Sequence, residues 1–256
     1  MSVRDWIRNA VYRGLYVYTG PGQGIRVILL YHSVGSAALH SIRLPMFERQ
    51  MDILARDFKV VRLCDLPKAM AEDATDNNIA CVTFDDGYRD NYERALPVLE
   101  SRGIKATFFI ATGFLGKSFP TSVGECPMMT TSQVRELANL GHEVGAHTVN
   151  HFKLSKLPSE EACAEISNSK SYLEDLVQGP VVSFAYPKGD YDEAVKNLVG
   201  SLGFQIAVTV RNGLVGNNPD WLELPRVTIS NTLDLGAFRA KVSPAMTLYS
   251  RLRGFR

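Results

Sequence analysis

Cysteine is sparse in this 256-residue chain, and the four present, Cys64, Cys81, Cys126 and Cys163, form no CxxC pair. That excludes a disulfide framework and a thiolate zinc site. Long apolar runs are missing as well: no stretch approaches the ~20 residues of a membrane span. Neither sign of charge is in excess, since 28 basic residues face 27 acidic ones and the formal net charge is +1. A balance of that kind argues against nucleic acid as the main partner. A Pro/Ser-rich linker, a low-complexity tract and an internal repeat are also lacking, which leaves a single domain. The opening MSVRDWIRNAVYRGLYVYTG has no continuous apolar core of a secretory signal, being interrupted by Asp5, Arg8 and Arg13. A cytoplasmic location is the resulting expectation.

The same segment does carry helical amphipathicity. Trp6, Ile7, Val11, Leu15 and Tyr18 can share one side, with Arg4, Arg8 and Arg13 elsewhere on the surface. The other end, LYSRLRGFR, is basic and partly apolar. The expectation is two helices packing on the domain. The alternative is a foothold on an anionic membrane surface, at the inner face of a bilayer. The boundaries are therefore an N-terminal helical segment over 1–25, a main domain over 26–235 and a basic helical tail over 236–256.

Between the termini, strands and helices alternate. IRVILLYHSV, KVVRL, NIACVTFDDG, KATFFIATGF, HEVGAHTVNH, VVSFAYPKGD, FQIAVTVRNG and LELPRVTI read as strands. PMFERQMDILARDF, LPKAMAEDA, NYERALPVLESRG, TTSQVRELANLG, PSEEACAEISNSKSYLEDLVQG (with a Ser N-cap) and DEAVKNLVGSLG read as helices. Near-continuous apolar strands alternating with helices predict a parallel sheet covered by helices. Seven or eight such units favour a closed barrel, with an open sheet as the alternative. The strand ends read YHS, FDDGY, ATGF, AHTVNH, AYPKGD and LPR, so polar residues collect where a (β/α) barrel builds its active site.

Two features there carry chemistry. Asp85 and Asp86 stand side by side at a strand end, where like charges repel unless a cation relieves them. HTVNH presents His147 and His151 four apart, a spacing that places both imidazoles on one side of a helical turn. Two imidazoles and one carboxylate form a three-ligand set that leaves positions open for water and substrate, as in catalytic zinc sites. Asp86 is assigned to the metal, and Asp85 is left to accept a proton from a water acidified by it. Gly87 permits a backbone geometry that a side chain would hinder. His32, at the end of the first strand and near carboxylates, is expected to stay protonated close to neutral pH and to donate to a leaving nitrogen. His40 and His142 read as ordinary polar residues, His142 at the opposite end of the barrel.

These residues resemble the polysaccharide deacetylase family, the carbohydrate esterases with the NodB homology domain. TFDDGY (Thr83 to Tyr88) matches the first family motif, HTVNH the second, and FAYPKGD (Phe184 to Asp190) is similar to the third. The resemblance covers roughly residues 26 to 230. It implies an α/β fold, a single distorted (β/α)7 TIM-like barrel. It also implies one divalent metal, usually Zn2+ (Co2+, Ni2+ and Mn2+ suit the same donors), and removal of N-acetyl groups from amino sugars of a polysaccharide, oligosaccharide or lipid-linked glycan precursor. Carried over by position, Asp85 is the base, Asp86, His147 and His151 are the metal ligands, and the backbone N–H of Lys188 helps to hold the oxyanion. Tyr88, Tyr186, Pro187, Lys188 and Gly189 are the expected substrate contacts. The chain departs from the usual pattern in having no histidine after His151. Leu30, Tyr31 and His32 have the form of the family's acid motif instead, as in the circularly permuted branch that includes poly-N-acetylglucosamine deacetylases. The arginine that often opens the third motif is Ala185 here, and Arg226 in LPRV is expected to hold Asp85 in its stead. NPDW, with Asp220 and Trp221, matches the aspartate–tryptophan motif only weakly. Hydrolysis of another C–N bond (a formamide or ureide), or sugar binding without turnover, are the alternative functions.

Overall fold

Residue alternation along each strand sorts the core into two layers. On β1 (Arg26–Tyr31) and β3 (Ile79–Phe84), Val27, Leu29, Tyr31, Ala80, Val82 and Phe84 face outward into one large apolar cluster, while Ile28, Ile79 and Cys81 face inward into a smaller one. The same period of two divides β4 (Thr107–Ile110), β8 (Ser183–Ala185), β9 (Ile206–Asn212) and β10 (Leu224–Thr228). A parallel sheet buried on both faces is either covered by helices on each side or closed on itself around its inner side chains, and closure leaves no strand edge. This sheet closes: β1, β10, β9, β8, β7 (Glu143–Ala146), β4 and β3 pair in parallel, and β3 returns to β1 from Arg26↔Ile79 to Tyr31↔Phe84. The result is a closed seven-stranded parallel barrel. This computed structural model describes residues 2–36, 40–72, 77–121 and 124–252. The end of the predicted helix LPKAMAEDA and the last four residues of the basic tail lie outside them.

The barrel is distorted at one seam. The expected strand KVVRL reduces to β2 (Lys59–Val60), which pairs with the start of β3, whereas β4 pairs with the end of β3 at Thr83↔Thr107 and Phe84↔Phe108. The gap between them is closed by polar side chains. Thr107 accepts from Leu63 N at 3.0 Å and donates to the buried Glu143, which also accepts from Cys64 N at 2.9 Å and from Ser183.

Helices α2 (Leu44–Asp57), α3 (Leu66–Glu72), α4 (Leu96–Glu100, preceded by a π-helical turn over Asn91–Ala95), α5 (Thr131–Asn139), α6 (Ser159–Val177) and α7 (Glu193–Ser201) cover the ring. Thr130 caps α5 through a capping box and Asp192 caps α7. The serine cap expected for α6 is not used. Pro158 occupies the N-cap position and Ser159 is the first helical residue, because proline suits the extended cap geometry and needs no N–H there.

Helix α1 (Val3–Thr19) packs on α8 (Leu235–Lys241) and α9 (Pro244–Leu252). It does so through the side that carries Arg8, Asn9 and Tyr12, where Leu15, expected with Trp6, Ile7, Val11 and Tyr18, instead packs with Tyr16 against the core. Asn9 Nδ2 donates to Thr232 O at 2.8 Å, Arg8 donates to Thr232 Oγ1 at 2.7 Å, and the Tyr12 ring lies 4.3 Å from that of Tyr249. Lys241, nearly buried beneath Tyr12, donates to Thr228 O at 2.6 Å. Burial, reinforced by the charge of Arg8, pushes its pKa down from 10.5 to about 8. Between those values the unfolded chain holds a proton that the folded chain has released. Lys241 therefore makes stability rise with pH across that window, by about 3 kcal/mol in total. Comparing urea midpoints at pH 7.5 and 10, Lys241→Met should lose that component of the rise; an identical pH dependence in variant and parent would contradict it.

Candidate active site

Thr83 and Asp85 continue the inward phase of β3, so the Asp85 carboxylate enters the barrel without special geometry. By alternation Asp86 should point away. The chain instead leaves the strand with Asp86 at φ 72 and Gly87 at φ 89, and Gly87 N donates back to Asp85 O at 2.9 Å. A positive φ at a non-glycine residue is uncommon, and here it turns the second carboxylate back toward the same cavity. Asp85 is held by Arg226, which reaches inward from β10. Nη1 and Nη2 each lie 2.7 Å from a different carboxylate oxygen, Nε donates to Thr209 O at 2.8 Å, and Nη1 also reaches Thr83 Oγ1 at 3.2 Å. Both partners are buried. Burial works to raise the Asp85 pKa, but the charge and hydrogen bonds of Arg226 outweigh it and hold the carboxyl below its usual range.

His147 follows β7 in the inward phase. Its Nδ1 lies 2.7 Å from Ala185 O, and a carbonyl can only accept, so Nδ1 carries the proton and the neutral ring turns the lone pair of Nε2 into the cavity. That Nε2 and the Nε2 of His151 stand 3.3 and 3.2 Å from Asp86 Oδ1. One ligand atom from each of Asp86, His147 and His151 falls within 4.8 Å of the others, and the buried Asp86 Oδ1 has no hydrogen-bond donor among the described residues. An imidazole lone pair facing a buried carboxylate oxygen fits a cation shared between them. Without one, burial opposes ionisation of Asp86, yet the adjacent imidazoles of His147 and His151 take its pKa well down, while His147 is drawn up against its own burial by Asp86 and Asp85.

The two imidazoles do not share a helical turn, as their spacing suggested. Thr148 and His151 have φ 62 and 57, and the segment is an irregular loop. The competing partner is Glu165 of α6, whose carboxylate accepts from Val149 N (3.1 Å), Asn150 N (2.8 Å) and Asn150 Nδ2 (2.6 Å); His151 N donates to Thr148 Oγ1 at 3.0 Å. Glu165 is a positioning residue missing from the sequence reading. Its signal was available: it stands in the buried register of α6 with Ala162, Ile166, Ser169 and Leu173.

His32 extends the inward phase of β1 and lines the same cavity, which has a volume of about 400 Å3. Asn91 Nδ2 donates to His32 O at 2.6 Å, and Asp90 accepts from Ser33 Oγ and Val34 N. The residues just after the acid pair thus fix the loop that carries His32. Its expected protonation near neutral pH does not follow from this environment. Asp86 and Asp85 do raise its pKa, but burial is the larger effect and the net shift is downward.

The description "polysaccharide deacetylase" attaches to a family profile that matches residues 72–207, just over half the chain. The chain belongs to the polysaccharide deacetylase family. YxkH of Bacillus subtilis is 30% identical over 219 residues, 84% of this chain and 75% of that protein. Poly-β-1,6-N-acetyl-D-glucosamine N-deacetylase of Staphylococcus aureus (strain MSSA476) is 23% identical over 202 residues, 75% of this chain and 69% of that one. Among solved structures, Streptococcus pyogenes deacetylase PplD in complex with acetate superposes with a TM-score of 0.72 at 24% identity, covering 89% of this chain and 98% of that one. The deacetylase profile spans Asp85, Asp86, His147 and His151 but stops short of His32 and Arg226, which join the site only through barrel closure.

Other residues of this deacetylase fall on both sides of the expectation. Tyr88 is buried against the cavity, and Lys188, at φ 59, lines it. Tyr186 does not reach it. It continues the outward phase of β8, stacks on Tyr191 at 4.4 Å and donates to Leu222 O at 2.8 Å. Pro187 is buried and Gly189 sits against Val210, so those two shape the turn that presents Lys188 and do not line the cavity. Asp220 caps Leu222 N and meets Lys196, and Trp221 packs on the inner apolar cluster; neither lines the cavity. The loop 116–129 contains a two-stranded hairpin, β5 (Ser118–Thr121) and β6 (Gly124–Pro127), that sets the Phe119 ring edge-on to His151 at 5.4 Å. His40, read as an ordinary polar residue, also lines the cavity, its ring 5.4 Å from His32.

Proposed function

We propose that this polysaccharide deacetylase uses one divalent cation, Zn2+, to remove acetyl groups from N-acetylglucosamine residues of a polysaccharide or oligosaccharide. One observation carries the proposal: an Arg-clamped carboxylate, a histidine and a convergent Asp–His–His set meet in a single open cavity at the strand ends. Two imidazoles and a carboxylate leave coordination positions free, as hydrolytic zinc sites require. The named activity of the Staphylococcus aureus relative supports the choice of sugar.

When bound by Asp86, His147 and His151, the cation supplies Lewis acidity, lowering the pKa of a water and polarising the acetamide carbonyl. Asp85 stays ionised beside Arg226 and takes the proton of the attacking water. The turn at Lys188 offers a backbone N–H to the oxygen that becomes negative. His32, in its protonated form, donates to the departing amine, and free amino sugar and acetate result. Because burial lowers the His32 pKa, the protonated form is favoured on the acid side of neutrality, and turnover declines as pH rises past that value.

The test is acetate release from chitooligosaccharides and from β-1,6-linked N-acetylglucosamine oligomers. Dialysis against a chelator should reduce the rate to background, and one equivalent of Zn2+ should restore it. Release that is indifferent to chelation, or restored by Mn2+ and not by Zn2+, would overturn the assignment.

A further inference from the structure

Helix α1 turns most of its large apolar side chains to solvent. Of the eleven large apolar side chains that stand exposed among the described residues, six lie on this one helix: Val3, Trp6, Ile7, Val11, Val17 and Tyr18, with exposures of 42% to 85%. At 100° per residue they fall within one continuous arc that also holds Ala10 and Gly14. The arc contains no acidic residue. Arg13 borders it on one side and Arg4 on the other. The polar side, with Asp5, Arg8, Asn9 and Tyr12, is the one turned to the protein. Isolated exposed apolar residues need no explanation, but a helix-long stripe marks a surface that something covers.

We propose that α1 is an interfacial helix that docks this protein on an anionic lipid bilayer. Three observations select that occupant. First, the stripe has an aromatic near each end, Trp6 and Tyr18, and side chains with an apolar body and a polar tip suit the headgroup boundary. Second, both borders are cationic, and arginine can lay its stem along the stripe while its head meets lipid phosphate. A second copy of the same face would instead bring like-charged borders together, and the carboxylate at that edge, Asp234, is already engaged by Arg13 of its own chain at 3.2 Å. Third, the neighbouring α9 ends in Arg251 and an exposed Leu252, so the adjoining surface has the same character. The helix is not a span; no helix here is long and apolar enough to cross a membrane among the described residues.

The placement matters for the site. Thr228 lines the catalytic cavity, and Thr232, four residues on, is the anchor for Arg8 and Asn9. Helix α1 is therefore anchored on the segment that follows the cavity-lining end of β10. The docking itself does not depend on the proposed reaction.

The experiment is co-sedimentation of the full chain with phosphatidylcholine vesicles containing about 30% phosphatidylglycerol, beside vesicles of phosphatidylcholine alone. The parent should partition at least about tenfold more strongly onto the anionic vesicles. The double variant Trp6→Ser, Val17→Asp should lose that binding while keeping its melting temperature and its acetate release from soluble oligomers. Both side chains point to solvent, so the fold does not rely on them. In a Trp221→Phe background, Trp6 fluorescence should shift to the blue on adding anionic vesicles. Equal, negligible binding to both vesicle types would overturn the proposal, as would vesicle binding unchanged in the double variant. A dimer in sedimentation velocity that the double variant abolishes, without vesicle binding by the parent, would assign the stripe to a second copy and overturn it too.

Discussion

Replacing Asp85 by asparagine should lower kcat for acetate release by about 10^3-fold and leave the metal content at one equivalent. An amide cannot take the proton of the attacking water, and the loss corresponds to removing a general base. Asp85 donates no atom to the Asp86, His147 and His151 set, so metal binding should survive. The substitution also removes the counter-charge of a fully buried guanidinium, and a broken buried pair costs about 3–5 kcal/mol. Activity is therefore to be measured well below the melting temperature of the variant, with metal content determined on the same sample. A folded, metal-loaded variant within tenfold of the parent would exclude Asp85 as the base.

Arg226→Ala should also lower stability by about 3–5 kcal/mol, or about 10 °C in Tm for a chain of this size. Four hydrogen bonds converge on this guanidinium, and its removal strands a buried carboxylate. The pH dependence should change sign. In the parent, the folded-state pKa of Asp85 lies below the unfolded value of 3.8. The carboxylate thus contributes stability above about pH 3.8, and that contribution is lost as pH falls through the folded pKa. Without Arg226, burial is largely unopposed and the folded pKa moves above the unfolded one, so the variant gains stability relative to the parent on acidification. The acid limb of kcat/KM should move up toward neutral pH for the same reason, since the base must be ionised. Arg226→Lys keeps the charge but not the two-pronged geometry, and should recover part of the stability and little of the rate. Unchanged turnover in Arg226→Ala would remove Arg226 from the positioning of Asp85.

Much of this site is legible in order along the chain because barrel strands repeat every two residues. Once IACVTF is a strand with Cys81 inside, Thr83 and Asp85 must also face in, and the same count places His32, His147 and Arg226. Where the strand rule ends, legibility ends with it. The path of Asp86 depends on a positive φ, and the loop from His147 to His151 depends on the Glu165 carboxylate, which outcompetes a helical turn for its amides. Tyr186 was misplaced for a related reason. Its neighbours in the motif suggested the groove, but its parity on β8 puts it outside, against Tyr191 and Leu222.

The sequence by itself determined the alternation of apolar strands and helices, the inward parity of the reactive residues and the chemical types at the strand ends, all properties of neighbours a few residues apart. Only the tertiary structure decided two matters. Ring closure through the pairing of β1 with both β3 and β10 brought His32 and Arg226 to acids some fifty and a hundred and forty residues away, because a barrel makes its first and last strands adjacent. The rotation of α1 was settled by which side found partners on α8, α9 and the Thr232 carbonyl, and in this helix hydrogen bonding and aromatic packing prevailed over apolar burial.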